Sequence, residues 1–155
     1  MLAGTLAGIV VLGVVQAVFY IATGLLLGVH FAAGPAGIAV LLVYAALVAL
    51  GFGALGSYLA LRTGSGESIQ GLFPVLFVFL FISSMAIPRN LMDVTWFRWA
   101  ATANPVSYLI EGVRSLIVIG WDVQALALGF AIAGTIAAVA IALAAWALRV
   151  RLAGS

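Results

Sequence analysis

Glu111 and Arg114 stand three residues apart, the spacing at which a carboxylate and a guanidinium meet on one face of a helix. The chemistry this pair offers is an ion pair rather than a reaction. At an exposed surface it contributes about 0.2 to 1 kcal/mol, whereas against a helix bundle or a dimer partner it would set how a short helix re-enters the membrane. A second polar set, Arg62, Thr63, Ser65, Glu67 and Gln70, lies in one flexible stretch with glycines between its members, and reads as a solvated connector or a docking loop. A third, Gln16, Tyr20 and Thr23, falls at i, i+4 and i+7 of an apolar run, one polar stripe that serves helix packing or lines a path.

What is missing narrows the chemistry further. All six basic residues are arginine, so there is no lysine for a phosphate-binding GxxxxGK[ST] loop or a Schiff base. Cysteine is absent, which removes disulfides, thiol redox chemistry and thiolate metal ligation. One histidine, His30, and four dispersed acids leave little for a metal centre or a proton relay. No catalytic, cofactor or metal site is expected, and any work the protein does draws its energy from elsewhere. Six scattered arginines do not make a nucleic-acid surface, despite a pI near 9.5.

The elements that must position these residues are transmembrane. The 61 residues from Met1 to Leu61 carry no charged side chain, and about 20 apolar helical residues suffice to cross a bilayer core of ~30 Å. Hydrophobic residues make up 66% of the chain and charged ones 6%, with a mean hydropathy of +1.35, too apolar for a soluble domain of 155 residues. The reading is an all-α membrane protein with four spans, at 5–28, 36–61, 69–87 and 123–148, and two short interfacial helices between the third and fourth. Gly34, Pro35 and Gly37 punctuate the first two spans, and Pro74 is expected to kink the base of the third. Gly4/Gly8 and Gly24/Gly28 have the GxxxG spacing of close helix contacts, and Trp146 beside Arg149 fits an aromatic belt with a cationic anchor. The apolar run starts at once, without the basic segment of a signal peptide, so the chain reads as the carboxy-terminal part of something longer.

The segment 88–121 is patterned rather than loop-like. Over residues 91–103, Met92, Trp96, Trp99 and Ala103 share one helical face and Thr95, Arg98 and Thr102 the other, the pattern of an interfacial helix with tryptophans at headgroup depth. Asn104-Pro105 then supplies an N-cap and a proline at the first helical position. The helix that follows has an apolar stripe of Val106, Leu109, Ile110, Val113 and Ile117, with Ser107, Glu111 and Arg114 opposite. Gly120 ends it, and Asp122 is placed to cap the last span.

The run Phe81-Ile-Ser-Ser-Met-Ala-Ile-Pro-Arg-Asn, followed by Trp96-Phe-Arg and by Asn104-Pro-Val-Ser-Tyr-Leu-Ile-Glu-Gly-Val-Arg-Ser-Leu-Ile, resembles the permeases of type-2 ATP-binding-cassette exporters. The bacterial drug-resistance branch, of the daunorubicin exporter type, is the most similar. The likeness rests on Ser83, Ser84, Pro88, Asn104, Pro105, Tyr108, Glu111 and Arg114, and covers residues 72–122 by motif and the flanking spans by hydropathy. That family's subunit resembles a six-span protein, so the resemblance implies that the first two spans are missing. It further implies cytoplasmic termini in a bacterial inner membrane and a cytosolic loop at 62–70 meeting an ATPase subunit. Residues 88–121 would lie outside as a lid or hinge, and a second permease subunit would complete the path. Three arginines on each side give the positive-inside rule nothing to decide. The function expected on this basis is a non-enzymatic permease subunit of an exporter for drugs or other lipophilic substrates. A lipid or glycan exporter permease and a truncated or accessory non-transporting subunit are the alternatives. A secondary transporter is disfavoured because no span carries an acid to couple ions.

Overall fold

The computed structural model describes residues 2–64 and 72–153. Among them the regular elements are all helices: α1 (Leu2–Leu26), α2 (Gly34–Thr63), α3 (Leu72–Phe81), α4 (Thr95–Ala103), α5 (Pro105–Arg114) and α6 (Val123–Ala153). A 3-10 turn at Arg89–Leu91 precedes α4, and a π turn at Ser115–Ile119 follows α5. Three helices, α1, α2 and α6, are long and apolar enough to span a bilayer. Their limits follow local chemistry. Pro35 sits in the first turn of α2, where a missing N–H costs nothing, and Gly64 closes that helix in the left-handed region at φ 72°.

Helix α2 is the axis of the bundle, with α1 on one side and α6 on the other. Pairs along α2 and α6 keep a constant offset: Leu41 clusters with Leu126, Tyr44 stacks edge-on against Phe130, Gly51 meets Ala137, and Ala54 clusters with Ala140. These two helices therefore run parallel. Helix α1 runs the other way, since Gly13 meets Ala49 while Ile9 meets Gly53 and Leu6 meets Ala54. The start of α1 and the ends of α2 and α6 thus share one end of the bundle. The α1–α2 turn, the π turn and the start of α6 share the other, where Ala33, Leu41, Leu116 and Leu126 cluster.

Small residues let the backbones close. Ala133, Ala137, Ala140, Ala144 and Ala147 recur along α6 and are all buried, and a Cβ on Gly51 would sit 3.3 Å from the Ala137 amide nitrogen. Within lipid there is no hydrophobic drive to associate, so such close van der Waals contact supplies the cohesion. The GxxxG pairs singled out by spacing are not these contacts. Gly4 and Gly8 face open space, Gly24 has only Val29 nearby at 3.8 Å, and Gly28 lies beyond the helix at φ 85°.

The third apolar segment differs most from expectation. Its described helix spans Leu72–Phe81 and gives way to turns at Ile82, well short of residue 87: the Ser83 hydroxyl donates back to the Leu80 carbonyl, and Ser84 is drawn into hydrogen bonds with Ser107. Pro74 falls in the first turn of that helix, where no bond within the described helix is lost, and so is not a mid-helix kink. The interfacial helix begins at Thr95 rather than residue 91, the preceding residues forming the 3-10 turn.

Candidate functional site between α3 and α6

Asn104 organises the corner. Its Oδ1 accepts the Val106 amide at 2.9 Å as the N-cap of α5, with Pro105 at the first helical position, while its Nδ2 donates to the Phe79 carbonyl of α3 at 2.6 Å. The same residue therefore starts one helix and ties it to the end of another. Two buried serines reinforce the tie: the Ser84 amide donates to Ser107 Oγ and the Ser84 hydroxyl to the Ser107 carbonyl, each at 3.2 Å. Buried polar groups that satisfy each other in this way hold position, because breaking either bond strands a donor away from water.

Around this corner the charged residues assemble, though not with the neighbours their spacing predicts. Glu111 does not pair with Arg114. It takes a bidentate pair from Arg89, whose Nε donates to Oε1 at 2.7 Å and whose Nη2 donates to Oε2. Arg89 also lies over the Tyr108 ring, 4.2 Å from its centroid, and Tyr108 Oη donates to the Thr102 carbonyl. The hydrogen bond with Glu111 is the main cause that holds the Arg89 pKa above its ordinary value. Arg114 instead reaches past Glu111, and its Nη2 donates to the Ser84 carbonyl at 2.6 Å and the Met85 carbonyl at 3.1 Å. The physical reason is reach. One guanidinium at Arg89 fits both carboxylate oxygens, while the α3–α4 connection presents bare carbonyls to Arg114.

The π turn completes the site. Widening the helix after Arg114 leaves carbonyls free, and the α1–α2 turn fills them: the Ala32 amide donates to Ile117 O and the Ala33 amide to Leu116 O, both at 3.1 Å. Ser115 locks the exit, its hydroxyl donating to the Gly120 carbonyl at 2.9 Å and accepting the Asp122 amide at 3.0 Å. Gly120 ends the turn at φ 107°, and Asp122 Oδ1 caps α6 through the Ala125 amide at 3.0 Å, as its position in the sequence predicts. A cavity of about 430 Å³ lies between these parts, walled by Pro88, Arg89, Arg98, Thr102, Glu111, Arg114 and Asp122.

The structure thus brings Ser84, Asn104, Pro105, Tyr108, Glu111 and Arg114 into one network, and Pro88 borders its cavity. It does not bring Gln16, Tyr20 and Thr23 to it. Gln16 and Tyr20 are exposed on α1, and the Thr23 hydroxyl donates to its own helix at Phe19 O. Arg62 and Thr63 close α2, with Arg62 over the Trp146 ring of α6 at 5.5 Å and Thr63 Oγ1 donating to Leu59 O. Ser65, Glu67 and Gln70 lie outside the described residues. Sequence reasoning missed Arg89 and Ser107 as partners, and missed Tyr44. That tyrosine is buried mid-helix in α2 and donates to the Leu109 carbonyl of α5 at 3.2 Å; a hydroxyl inside an apolar span was the available signal.

A family model described as ABC-2 type transporter matches residues 1–118, from α1 through the π turn. This chain belongs to that family. It is therefore a multi-pass membrane protein and a permease subunit, a transport component rather than a catalyst, and the ABC-2 assignment implies association with an ATP-binding-cassette ATPase and a transmembrane partner. No curated protein and no solved structure matches the chain.

Proposed function

We propose that this ABC-2 permease is half of the translocation path of an ATP-driven exporter in a bacterial inner membrane, of the drug-exporting daunorubicin-like branch, and that it crosses the bilayer four times. The observation that carries the reading is the parallel pairing of α2 and α6. Two parallel spans in one chain require the intervening segment to return across the membrane. Its start, at Thr63, and its finish, at Val123, lie at opposite ends of the bundle. Helix α3 is the apolar element on that route. At 10 residues and about 1.5 Å per residue it accounts for roughly half of a ~30 Å core.

In this reading the end shared by the start of α1 and the ends of α2 and α6 is cytosolic. Arg62, Thr63, Ser65, Glu67 and Gln70 then form the coupling loop that an ATPase subunit pushes, with Arg62 resting on Trp146 as a mechanical link to α6. The α3–α4–α5 corner lies outside as the hinge, joined to α3 through Asn104, Ser84 and Arg114, so a tilt of α3 is transmitted to it. An apolar groove of about 550 Å³ between α2 and α5, walled by Leu41, Tyr44, Val48, Leu109, Val113 and Ile117, supports a lipophilic cargo. Transport requires two packings of similar free energy biased by the partner's nucleotide state.

The test is a cysteine at Ser65 or Glu67 in this cysteine-free chain, crosslinked to the candidate ATPase subunit with and without ATP. A crosslink that changes with nucleotide is expected. Absence of a crosslink in an inserted, folded chain would overturn the coupling-loop assignment and favour a non-transporting accessory subunit.

A further inference from the structure

We infer that the cavity between α4, α5 and the start of α6 is a phosphate-binding niche at membrane-headgroup depth, with Arg98 and Arg114 as its cations. Three arginines and two carboxylates wall the cavity, and both carboxylates are engaged. Glu111 is taken by Arg89, and Asp122 caps α6. No carboxylate among the described residues pairs with Arg98 or Arg114, and the Arg114 bonds to the Ser84 and Met85 carbonyls satisfy hydrogens without cancelling its charge. Among the described residues Arg114 Nη1 is buried and has no hydrogen-bond partner. Asp122 and Ala125 line the same cavity and place the N-terminus of α6 there, and because the Asp122 carboxylate keeps its charge when it caps the neutral Ala125 amide, three arginines against two carboxylates leave the wall one positive charge in excess.

Helix α4 puts Arg98 and Thr102 on the cavity wall, while Trp96 and Trp99 on its adjacent face are 70% and 76% exposed. Indole rings favour the boundary between headgroups and acyl chains, so the niche sits at the level where lipid phosphates lie. Ile119, 63% exposed, adds an apolar side to the wall, which suits a phosphate that carries a hydrocarbon tail. The recognised chemistry is a phosphate mono- or diester, reached from a lipid headgroup or from a dissolved phosphate. Neither the direction of transport nor the identity of the ATPase enters this inference.

The experiment is lipid retention by the full chain, purified in neutral detergent with equal amounts of phosphatidylglycerol and phosphatidylcholine and read by native mass spectrometry. Preferential retention of phosphatidylglycerol is expected, falling about fivefold in Arg98→Gln, the effect of one arginine near an anionic membrane surface. Among the described residues no side-chain bond of Arg98 would be lost, so this variant is expected to fold, and Arg149→Gln at the far end of α6 is expected to leave the ratio unchanged. Displacement of retained phosphatidylglycerol by inorganic phosphate would assign the niche to soluble phosphates; retention in its presence would assign it to lipid. Equal retention of the two lipids, or an equal loss in Arg149→Gln, would overturn the inference. The measurement needs no ATPase, so its failure is separable from failure of the crosslink to the coupling loop.

Discussion

A pair of double-mutant cycles decides which arginine, Arg89 or Arg114, Glu111 pairs with. The Arg89–Glu111 side chains are 20% and 19% exposed, and they meet through two parallel hydrogen bonds. An open surface pair would contribute about 0.2 to 1 kcal/mol, and breaking a fully buried one costs about 3 to 5 kcal/mol. At this intermediate exposure, with bidentate geometry and the Tyr108 ring beneath Arg89, each of Arg89→Gln and Glu111→Gln is expected to destabilise by about 2 kcal/mol. Because each single change already removes the interaction, the double variant costs little more, which leaves a coupling energy of about 1.5 kcal/mol. The same cycle on Glu111 and Arg114 is expected to give less than about 0.5 kcal/mol, since Arg114 bonds to the Ser84 and Met85 carbonyls. Equilibrium unfolding in mixed micelles, with the fraction folded followed by tryptophan fluorescence, measures all five variants alongside the parent. A coupling for Glu111–Arg114 equal to or larger than that for Arg89–Glu111 would refute the reasoning.

Two further predictions address the packing and the corner. A Cβ on Gly129 would meet Tyr44 Oη at 2.7 Å and the immobile Tyr108 carbonyl oxygen at 3.1 Å, so Gly129→Ala is expected to destabilise by about 1 to 3 kcal/mol. Gly134→Ala, on the same helix with open space around it, is expected to be neutral or to stabilise by up to about 1 kcal/mol, and equal effects in the same unfolding assay would contradict the α2–α6 interface. Asn104→Ser keeps an oxygen for the Val106 amide but loses the bond to Phe79 O, whereas Asn104→Ala loses both. Hydrogen exchange at the Val106 amide is therefore expected to accelerate in the alanine variant alone, consistent with about 1 kcal/mol for an N-cap, and equal acceleration in both would show that the cap is not made by this side chain.

Much of the secondary structure was legible because it is decided locally or by the solvent. Long uncharged runs must be helical in a bilayer, where no water satisfies a bare backbone, and α1, α2 and α6 lie where hydropathy places them. Asn104 and Pro105 start α5, Gly120 ends the turn after it and Asp122 caps α6, each by a rule that acts within a few residues. The exposed Trp96 and Trp99 likewise follow from the pattern of α4. Where a bond joins distant segments the pattern was silent. Ser84 and Ser107 are 23 residues apart, Arg89 and Glu111 22, and Tyr44 and Leu109 65, and no periodicity reports such pairs.

By itself, then, the amino-acid order determined that this chain is a membrane-embedded helical protein, where its long helices lie, and which cluster of polar residues stands apart from them. Tertiary structure alone decided which arginine Glu111 takes, that α2 and α6 run parallel, and that alanines rather than the GxxxG glycines close the bundle. The division has one physical cause. Desolvation of the backbone and capping of helix ends are settled within a few residues of the chain. A guanidinium or a small side chain finds its partner only after distant helices have packed, and the winner is the geometry that leaves the fewest buried polar groups unpaired.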